Sequence, residues 1–281
     1  MKYGMNLLLW TGNVTEEHYP LLDKIKSWGY DGAEIPVFSF DPAQYRGLLK
    51  KLDDIGLQCT TVTIVSKDAN PVGPDASVRA AAVDHLKRAI DTNHTLGSKM
   101  MCGPYVSPVG GLVGRGRTSD EWRWAVEVFQ KVAPHAQQAG VMLGLEALNR
   151  FETYFVNCMA DLAKLVDEVN HPSFRLMYDT FHANIEEKSI PDAIRTAGKR
   201  IIHVHISEND RSTPGEGHVH WDETFRTLKE IGYDGWMVVE AFGQALPDLA
   251  AATCIWRKMF PSEEHLATNG LKFMKRKVAG E

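Results

Sequence analysis

The sequence predicts an α/β protein: a single (β/α)8 TIM barrel spanning residues 1–281, with extra C-terminal helices. Three observations support this fold. Short β-rich segments alternate with long helical patterns along the whole chain, which is typical of a parallel sheet built from βα units. Eight such pairs can be counted. A chain of 281 residues with 44% hydrophobic content also has the usual size of a barrel.

The predicted strands are short and rich in aliphatic and β-branched residues, and turn signals flank them. They cover residues 2–9, 32–35, 58–65, 98–102, 141–145, 174–178, 201–205 and 236–239. The first of these begins the chain. Its apolar run is short and no small-residue cleavage site follows it, so it indicates a strand and not a signal peptide.

Helix boundaries between these strands are marked by capping residues. Thr15 precedes two glutamates, Asp41 precedes Pro42, and Thr118 with Glu121 has the spacing of a capping box. A glycine that suits the C-terminal end of a helix recurs just before five of the strands. These glycines are Gly29, Gly56, Gly97, Gly140 and Gly232. The chain therefore repeats a cycle of helix, glycine and strand.

Two stretches fall outside that cycle. A Gly/Pro-rich loop at residues 103–118 follows the fourth strand and is expected to form a lid. The tail from Leu246 onward is longer than one helix requires, so we expect extra helices against the barrel or a neighbouring subunit.

Composition excludes several classes of function. A net charge of −5 and interspersed charges of both signs argue against a nucleic-acid partner. No apolar run approaches the roughly 18 residues that would cross a membrane. The four cysteines lie far apart and lack the spacing of a zinc or redox motif, which suits a reducing cytoplasm.

The strongest chemical signal lies at the ends of strands five to eight. These strands end in Glu146, Asp179, His205 and Glu240, about one βα unit apart. In (β/α)8 barrels the C-terminal strand ends carry the active site. Three carboxylates and one imidazole form an oxygen-rich set that suits Mn²⁺, Mg²⁺ or Co²⁺. The alternative is that each acid caps a helix N-terminus.

His203 lies two residues before His205 and faces the same side of the strand, but deeper in the barrel. A neutral histidine with a hydrogen bond to a neighbour is expected there.

Longer motifs surround these residues. They occupy residues 145–152, 179–187, 207–211, 214–217, 219–223, 232–235 and 240–242. Together and in this order they resemble the ketose 3-epimerases of the D-tagatose and D-allulose (psicose) type, within the xylose isomerase-like TIM barrel superfamily. Weaker similarity covers the N-terminal half.

The resemblance implies roles for individual residues. One divalent cation, Mn²⁺ first with Co²⁺ or Mg²⁺ as alternatives, would be held by Glu146, Asp179, His205 and Glu240. Glu146 and Glu240 would also act as the acid–base pair that inverts C3 of a keto-sugar through a metal-stabilised cis-enediolate. The residues expected to contact the sugar are Glu152, His182, Arg211, Asn6 and Phe242. A homodimer or homotetramer is also expected.

Departures from the family pattern leave the substrate open. Asn6 stands where an aromatic residue is common, Val14 where a tryptophan can occur, and the loop at residues 103–117 differs in length. Arg115 and Arg117 in that loop suit an anion clamp, solvated positions or contacts with a neighbouring subunit.

Four alternatives to a 3-epimerase therefore remain. Two of them are an enzyme that processes 3-keto-glycosides and a C-glycoside deglycosidase subunit with a smaller partner chain. The other two are a hydroxypyruvate-type aldose–ketose isomerase and a non-catalytic sugar-binding subunit. A barrel nuclease for abasic DNA is disfavoured because the chain is acidic.

Overall fold

A computed structural model describes the whole chain, from Met1 to Glu281. Its eight strands are β1 (Lys2–Asn6), β2 (Gly32–Pro36), β3 (Gln58–Val62), β4 (Met100–Gly103), β5 (Met142–Leu145), β6 (Phe174–Asp179), β7 (Ile201–Ile206) and β8 (Trp236–Val239). Each strand pairs in parallel with the next, and β8 pairs with β1 to close the barrel. The predicted (β/α)8 barrel is confirmed.

Ten α-helices accompany the strands. They are α1 (Tyr19–Trp28), α2 (Pro42–Ile55), α3 (Ala76–Thr95), α4 (Ser119–Ala139), α5 (Met159–Val169), α6 (Thr180–Glu186), α7 (Ile190–Ala197), α8 (Trp221–Glu230), α9 (Pro247–Ala252) and α10 (Glu263–Ala279). None of them combines the length and the apolar character needed to cross a bilayer.

Most predicted helix ends are in place. The Asp41 carboxylate caps α2 by accepting from the Ala43 amide, and Thr118 and Glu121 form the predicted capping box of α4. Thr15 begins a short 3-10 turn that leads into α1. Gly29, at the end of α1, has a φ of 95°, a left-handed conformation that favours glycine.

Two strands end earlier than the sequence predicts. β1 stops at Asn6 because the Asn6 side chain accepts from the Leu8 amide, which turns Leu7–Leu9 into a 3-10 helix. β3 stops at Val62, and the backbone beyond it bonds to the β4 segment through Thr63 and Cys102. Beyond β1, Leu7–Leu9 stay buried, whereas beyond β3 Thr63 and Val65 are buried and Ile64 is exposed.

The C-terminal tail divides into two parts. Helix α9 is an addition to the barrel, whereas α10 packs on α8 and β8. The Tyr30 hydroxyl, after α1, donates to the Ala267 carbonyl of α10 at 2.7 Å. Helix α10 therefore fills the place between α8 and α1 and completes the outer helical ring.

Candidate metal centre

Strands β5 to β8 place one side chain each in a single buried cluster. Glu146 follows β5, Asp179 ends β6, His205 lies in β7, and Glu240 follows β8. One ligand-type atom of each lies within 4.8 Å of the others. All four residues are buried. The structure thus brings together the four residues predicted to hold a cation.

The imidazole of His205 has two distinct sides. Its Nδ1 atom lies 3.2 Å from Glu240 Oε1 and 3.6 Å from Asp179 Oδ2, so it faces the carboxylates. Its Nε2 atom lies 2.7 Å from Oε1 of Glu34, on the opposite side of the ring. Because Glu34 accepts at Nε2, the nitrogen that faces the cluster is the one left to act as a ligand.

Asp179 can cap a helix and bind a cation at the same time. Its Oδ1 atom accepts from the His182 amide at 3.0 Å and so caps α6. Its Oδ2 atom is buried and has no hydrogen-bond partner. One carboxylate oxygen therefore serves the helix and the other is aimed into the cluster.

The electrostatics of the cluster are unbalanced. Burial and the neighbouring Glu240 carboxylate raise the pKa of Glu146 well above its ordinary value. Burial lowers the pKa of His205, but the Glu240 and Glu34 carboxylates outweigh it and hold that pKa well above the ordinary range. Three carboxylates in a dry site carry more negative charge than their protein neighbours offset.

These residues fit a divalent cation. Asp179 Oδ2 and His205 Nδ1 are buried and lack hydrogen-bond partners, which is unusual for polar atoms in a protein interior. A cation would satisfy both atoms and offset the excess negative charge. Hard oxygen donors with one imidazole match Mn²⁺, Mg²⁺ or Co²⁺ better than a structural zinc ion, which favours thiolates.

Beside the cluster, Glu152, His182 and Arg211 lie together: Arg211 bonds to Glu152, and Asn149 bonds to both Glu152 and His182. Arg211 Nη2 donates to Glu152 Oε1 at 2.9 Å. The Asn149 amide donates to His182 Nδ1 at 3.0 Å, so the ring hydrogen is placed on Nε2, which lies 3.6 Å from Glu146 Oε1. Burial lowers the pKa of His182 to about 3, so this histidine is neutral. The structure brings all three predicted sugar contacts beside Glu146.

Arg211 is held rigidly. Its guanidinium carbon lies 4.1 Å from the centroid of the Phe181 ring and 4.7 Å from that of Phe242. Its backbone has a φ of 60°, which is rare for a residue with a side chain. The fully buried Glu208 stabilises this loop by accepting from the amides of Gly215 and Val219. Phe242, predicted to line the sugar pocket, therefore packs on the arginine.

Asn6 occupies a different position from the other predicted contacts. It is fully buried, and its Nδ2 atom donates to Glu34 Oε1 at 2.9 Å and to Glu240 Oε1 at 3.4 Å. Its side-chain oxygen, Oδ1, accepts from the backbone amide of Leu8. Asn6 thus lies behind Glu240, and its polar atoms are bonded within the protein.

The loop after β4 is tied down by ion pairs. Arg115 makes a two-point contact with Glu121, each bond 2.9 Å long, and Arg117 donates to Asp161 at 2.6 Å. Both guanidinium groups are therefore paired with carboxylates, which argues against an anion clamp. The Gly110 amide also donates to the Glu152 carbonyl at 2.7 Å, so this loop contacts the loop after β5.

Three residues that matter to the site were missed from the sequence. Glu34 in β2 bonds to His205, Asn149 orients His182, and Phe181 stacks on Arg211. A signal for Glu34 was present, because an acid in the middle of a buried parallel strand needs a partner. For Asn149 and Phe181 only their proximity to Glu146 and His182 pointed to the site. His203, as expected, lies deeper, with Nε2 2.8 Å from Glu34.

Comparison with known proteins agrees with this geometry. The family model described as a xylose isomerase-like TIM barrel matches residues 22–277. A probable ketose 3-epimerase of Synechocystis sp. is 31% identical and aligns over 98% of this chain and 96% of its own length. A D-psicose 3-epimerase of Enterocloster bolteae is 30% identical, with 95% and 91% of the two chains covered. Among solved structures, D-psicose 3-epimerase with D-tagatose from Clostridium cellulolyticum H10 superposes with a TM-score of 0.92 at 29% identity, covering 99% of each chain.

Proposed function

The chain belongs to the xylose isomerase-like TIM barrel family and, within it, to the ketose 3-epimerases, and from this premise we propose that it inverts C3 of a free keto-sugar. Relatives named D-psicose and L-ribulose 3-epimerase support D-fructose, D-allulose, D-tagatose and L-ribulose as first substrates. Both reaction directions use the same groups, so no nicotinamide is needed.

One observation carries this proposal: two buried glutamates, Glu146 and Glu240, share one metal-binding cluster although they follow strands three positions apart around the barrel. Inversion at carbon requires a proton acceptor on one face and a proton donor on the other. A protein that only binds a sugar would not need a second carboxylate to exchange the proton at C3.

The residues of the chain divide the chemistry between them. Glu146, Asp179, His205 and Glu240 would hold the cation, which would polarise the C2 carbonyl and so make the C3 hydrogen acidic. One glutamate takes that proton and leaves an enediolate of the sugar, and the other, which begins protonated, delivers its proton to the opposite face. At the end the two glutamates have exchanged protonation states, which the reverse reaction restores.

The remaining polar groups would hold the sugar in place. Neutral His182 donates from Nε2 towards oxygens beside Glu146, and Arg211 supplies a fixed cation next to Glu152. A rigid arginine costs little ordering entropy when the substrate binds. We assign Asn6 to the positioning of Glu240, because none of its surface is exposed for contact with the sugar.

We further propose Mn²⁺ as the cation, a homodimer or homotetramer as the assembly, and the cytoplasm as the location. The oxygen-rich ligand set supports Mn²⁺. Four free cysteines support a reducing compartment.

The decisive experiment is turnover of the metal-reconstituted protein on the four ketoses in D₂O. Products are separated by chromatography, and deuterium at C3 is measured by NMR. Inversion with solvent deuterium at C3 is the expected result. Inversion without exchange, or metal binding without turnover of any ketose, would contradict the proposal.

A second candidate, a 3-keto-glycoside epimerase, is favoured by the rim of the site. Apart from Met1, every exposed large apolar side chain lies in a segment that follows the C-terminal end of a strand, with Ile185 in the short helix α6 and Trp256 between α9 and α10. These residues are Phe38, Ile64, Val109, Leu112, Val113, Phe151, Ile185 and Trp256. An apolar aglycone would contact such a rim, whereas a free hexose is too polar to need it. A kcat/KM for aryl 3-keto-glucosides above that for the ketoses would establish this candidate.

A further inference from the structure

A second polar layer lies directly behind the metal centre, and it is built by the other four strands. Asn6 of β1, Glu34 of β2, Thr60 of β3 and Cys102 of β4 each contribute one side chain. All four are at most 1% exposed. The layer is therefore part of the barrel interior and is out of reach of a substrate.

Glu34 is the centre of that layer. Its Oε1 atom accepts from Asn6 Nδ2 at 2.9 Å and lies 2.7 Å from His205 Nε2. Its Oε2 atom accepts from the Thr60 hydroxyl at 2.9 Å and from Cys102 Sγ at 3.2 Å. A carboxylate buried this deeply is very costly unless every oxygen is bonded, and here both are.

The contact with His205 links this layer to the metal centre. Oε1 of Glu34 lies on the Nε2 side of the ring, and the Asp179 and Glu240 carboxylates lie on the Nδ1 side. A histidine that donates from one nitrogen to a carboxylate is fixed in ring orientation and in tautomer, and its other nitrogen becomes a better donor to a metal.

A second contact links the layer to the acid–base pair. Asn6 Nδ2 lies within hydrogen-bonding distance of both Glu34 Oε1 and Glu240 Oε1. A shift of Glu34 would therefore move the groups behind two of the four ligand residues.

We propose that Glu34 is a positioning residue of the metal centre, which orients His205 directly and Glu240 through Asn6. It does not touch the sugar or the cation, and its effect is on how tightly and in which geometry the cation is held. The inference rests on the metal site of the proposed function.

The test is calorimetric titration of Mn²⁺ into chelator-treated protein, with Glu34→Gln as the main variant. Glutamine keeps the shape of the side chain and removes its charge. We expect the Kd for Mn²⁺ to rise about 10- to 100-fold, the range typical for loss of a carboxylate behind a metal-bound histidine. A Kd within about threefold of the parent value would overturn the proposal.

Thr60→Val is the matched control. It removes a hydrogen bond to the same carboxylate, but on Oε2, away from His205. Its Kd should stay within about threefold of the parent, and a loss as large as that of Glu34→Gln would mean that general packing of the layer, not the Glu34–His205 contact, governs metal affinity.

Two further outcomes remain informative. If Glu34→Gln does not fold, Glu34→Asp decides, because it keeps the charge but withdraws it from His205 by one methylene. An unchanged Kd in that variant would refute the positioning role. If the parent protein itself fails to bind Mn²⁺, Co²⁺ or Mg²⁺, the proposed function fails first, so the two failures are distinguishable.

Discussion

The two halves of the barrel treat buried polar groups in opposite ways. Strands β1 to β4 contribute polar side chains that satisfy one another around Glu34. Strands β5 to β8 contribute three carboxylates and an imidazole, and two of their atoms, Asp179 Oδ2 and His205 Nδ1, have no hydrogen-bond partner. The polar groups around Glu34 find all their partners within the protein, whereas those of β5 to β8 leave two atoms for a cation.

Buried polar groups therefore serve two purposes in one barrel: those around Glu34 stabilise the structure, and those of β5 to β8 form the candidate site. Burial and neighbouring charges shift the pKa of a buried glutamate in each half, but in opposite directions. Burial raises the pKa of Glu34, yet His205 and His203 outweigh it and hold that pKa well below the ordinary value. Burial and Glu240 together raise the pKa of Glu146. A buried carboxylate with its partners in the protein stabilises the fold, and one without them marks the site of chemistry.

Removal of the cation should have the largest effect on activity. Chelator-treated protein is expected to lose all turnover and to regain it on addition of Mn²⁺, because only the β5 to β8 half depends on the ion. Saturating ion should also stabilise the fold by about 2.7 kcal/mol at a concentration 100-fold above Kd. For a chain of 281 residues this corresponds to a rise of about 5 °C in Tm, measured by scanning calorimetry. Full activity in the presence of chelator would contradict the prediction.

The next largest effect should come from Glu146→Gln and Glu240→Gln. Each variant removes one of the two proton-transferring groups, so inversion at C3 should fall about 10³-fold or more. Loss of inversion is to be measured by chromatography, and C3 exchange in D₂O by NMR. Since one base remains in each variant, slow exchange without inversion is compatible with the mechanism. Near-normal inversion in either variant would refute it.

A smaller effect is expected at Arg211. Arg211→Lys keeps the charge but loses the planar group that packs between Phe181 and Phe242. We expect kcat/KM to fall about 100-fold for Arg211→Ala and nearly as far for Arg211→Lys, with the Kd for Mn²⁺ unchanged. Steady-state kinetics and metal titration measure the two quantities. Rescue by lysine would show that charge alone is sufficient.

The smallest effect concerns Glu121, which lies outside both halves and has its charge fully paired. Burial raises its pKa, but Arg115 and Thr118 outweigh burial and lower it from 4.5 to about 2. The folded pKa is depressed, so this carboxylate stabilises the fold above pH 4.5 and loses that effect as the pH falls towards 2. The difference in Tm between the parent and Glu121→Gln should therefore shrink across this window. A constant difference would mean that the charge of Glu121 contributes nothing.

Local patterns were enough to predict the parts of the fold that repeat. All eight strands were placed, since each is a short apolar run followed by a helix pattern. The end of β1 was misjudged because a side-chain cap at Asn6 ends the strand without changing the hydropathy of the run. The end of β3 was misjudged because the apolar run continues past Val62 to Val65. The four candidate ligand residues were predicted to share one rim because parallel strands in a barrel end on the same side.

By itself, the sequence determined the kind of barrel and the residue types on its C-terminal rim, because both follow from periodicity along the chain. Only the tertiary structure decided that Glu34 meets His205, 171 positions away, and that Asn6 joins them to Glu240. Such contacts depend on closure of β1 against β8 and on the register across the barrel interior. A carboxylate in the sequence has no partner until the fold supplies one, and the partner decides whether it holds the structure together or performs the reaction.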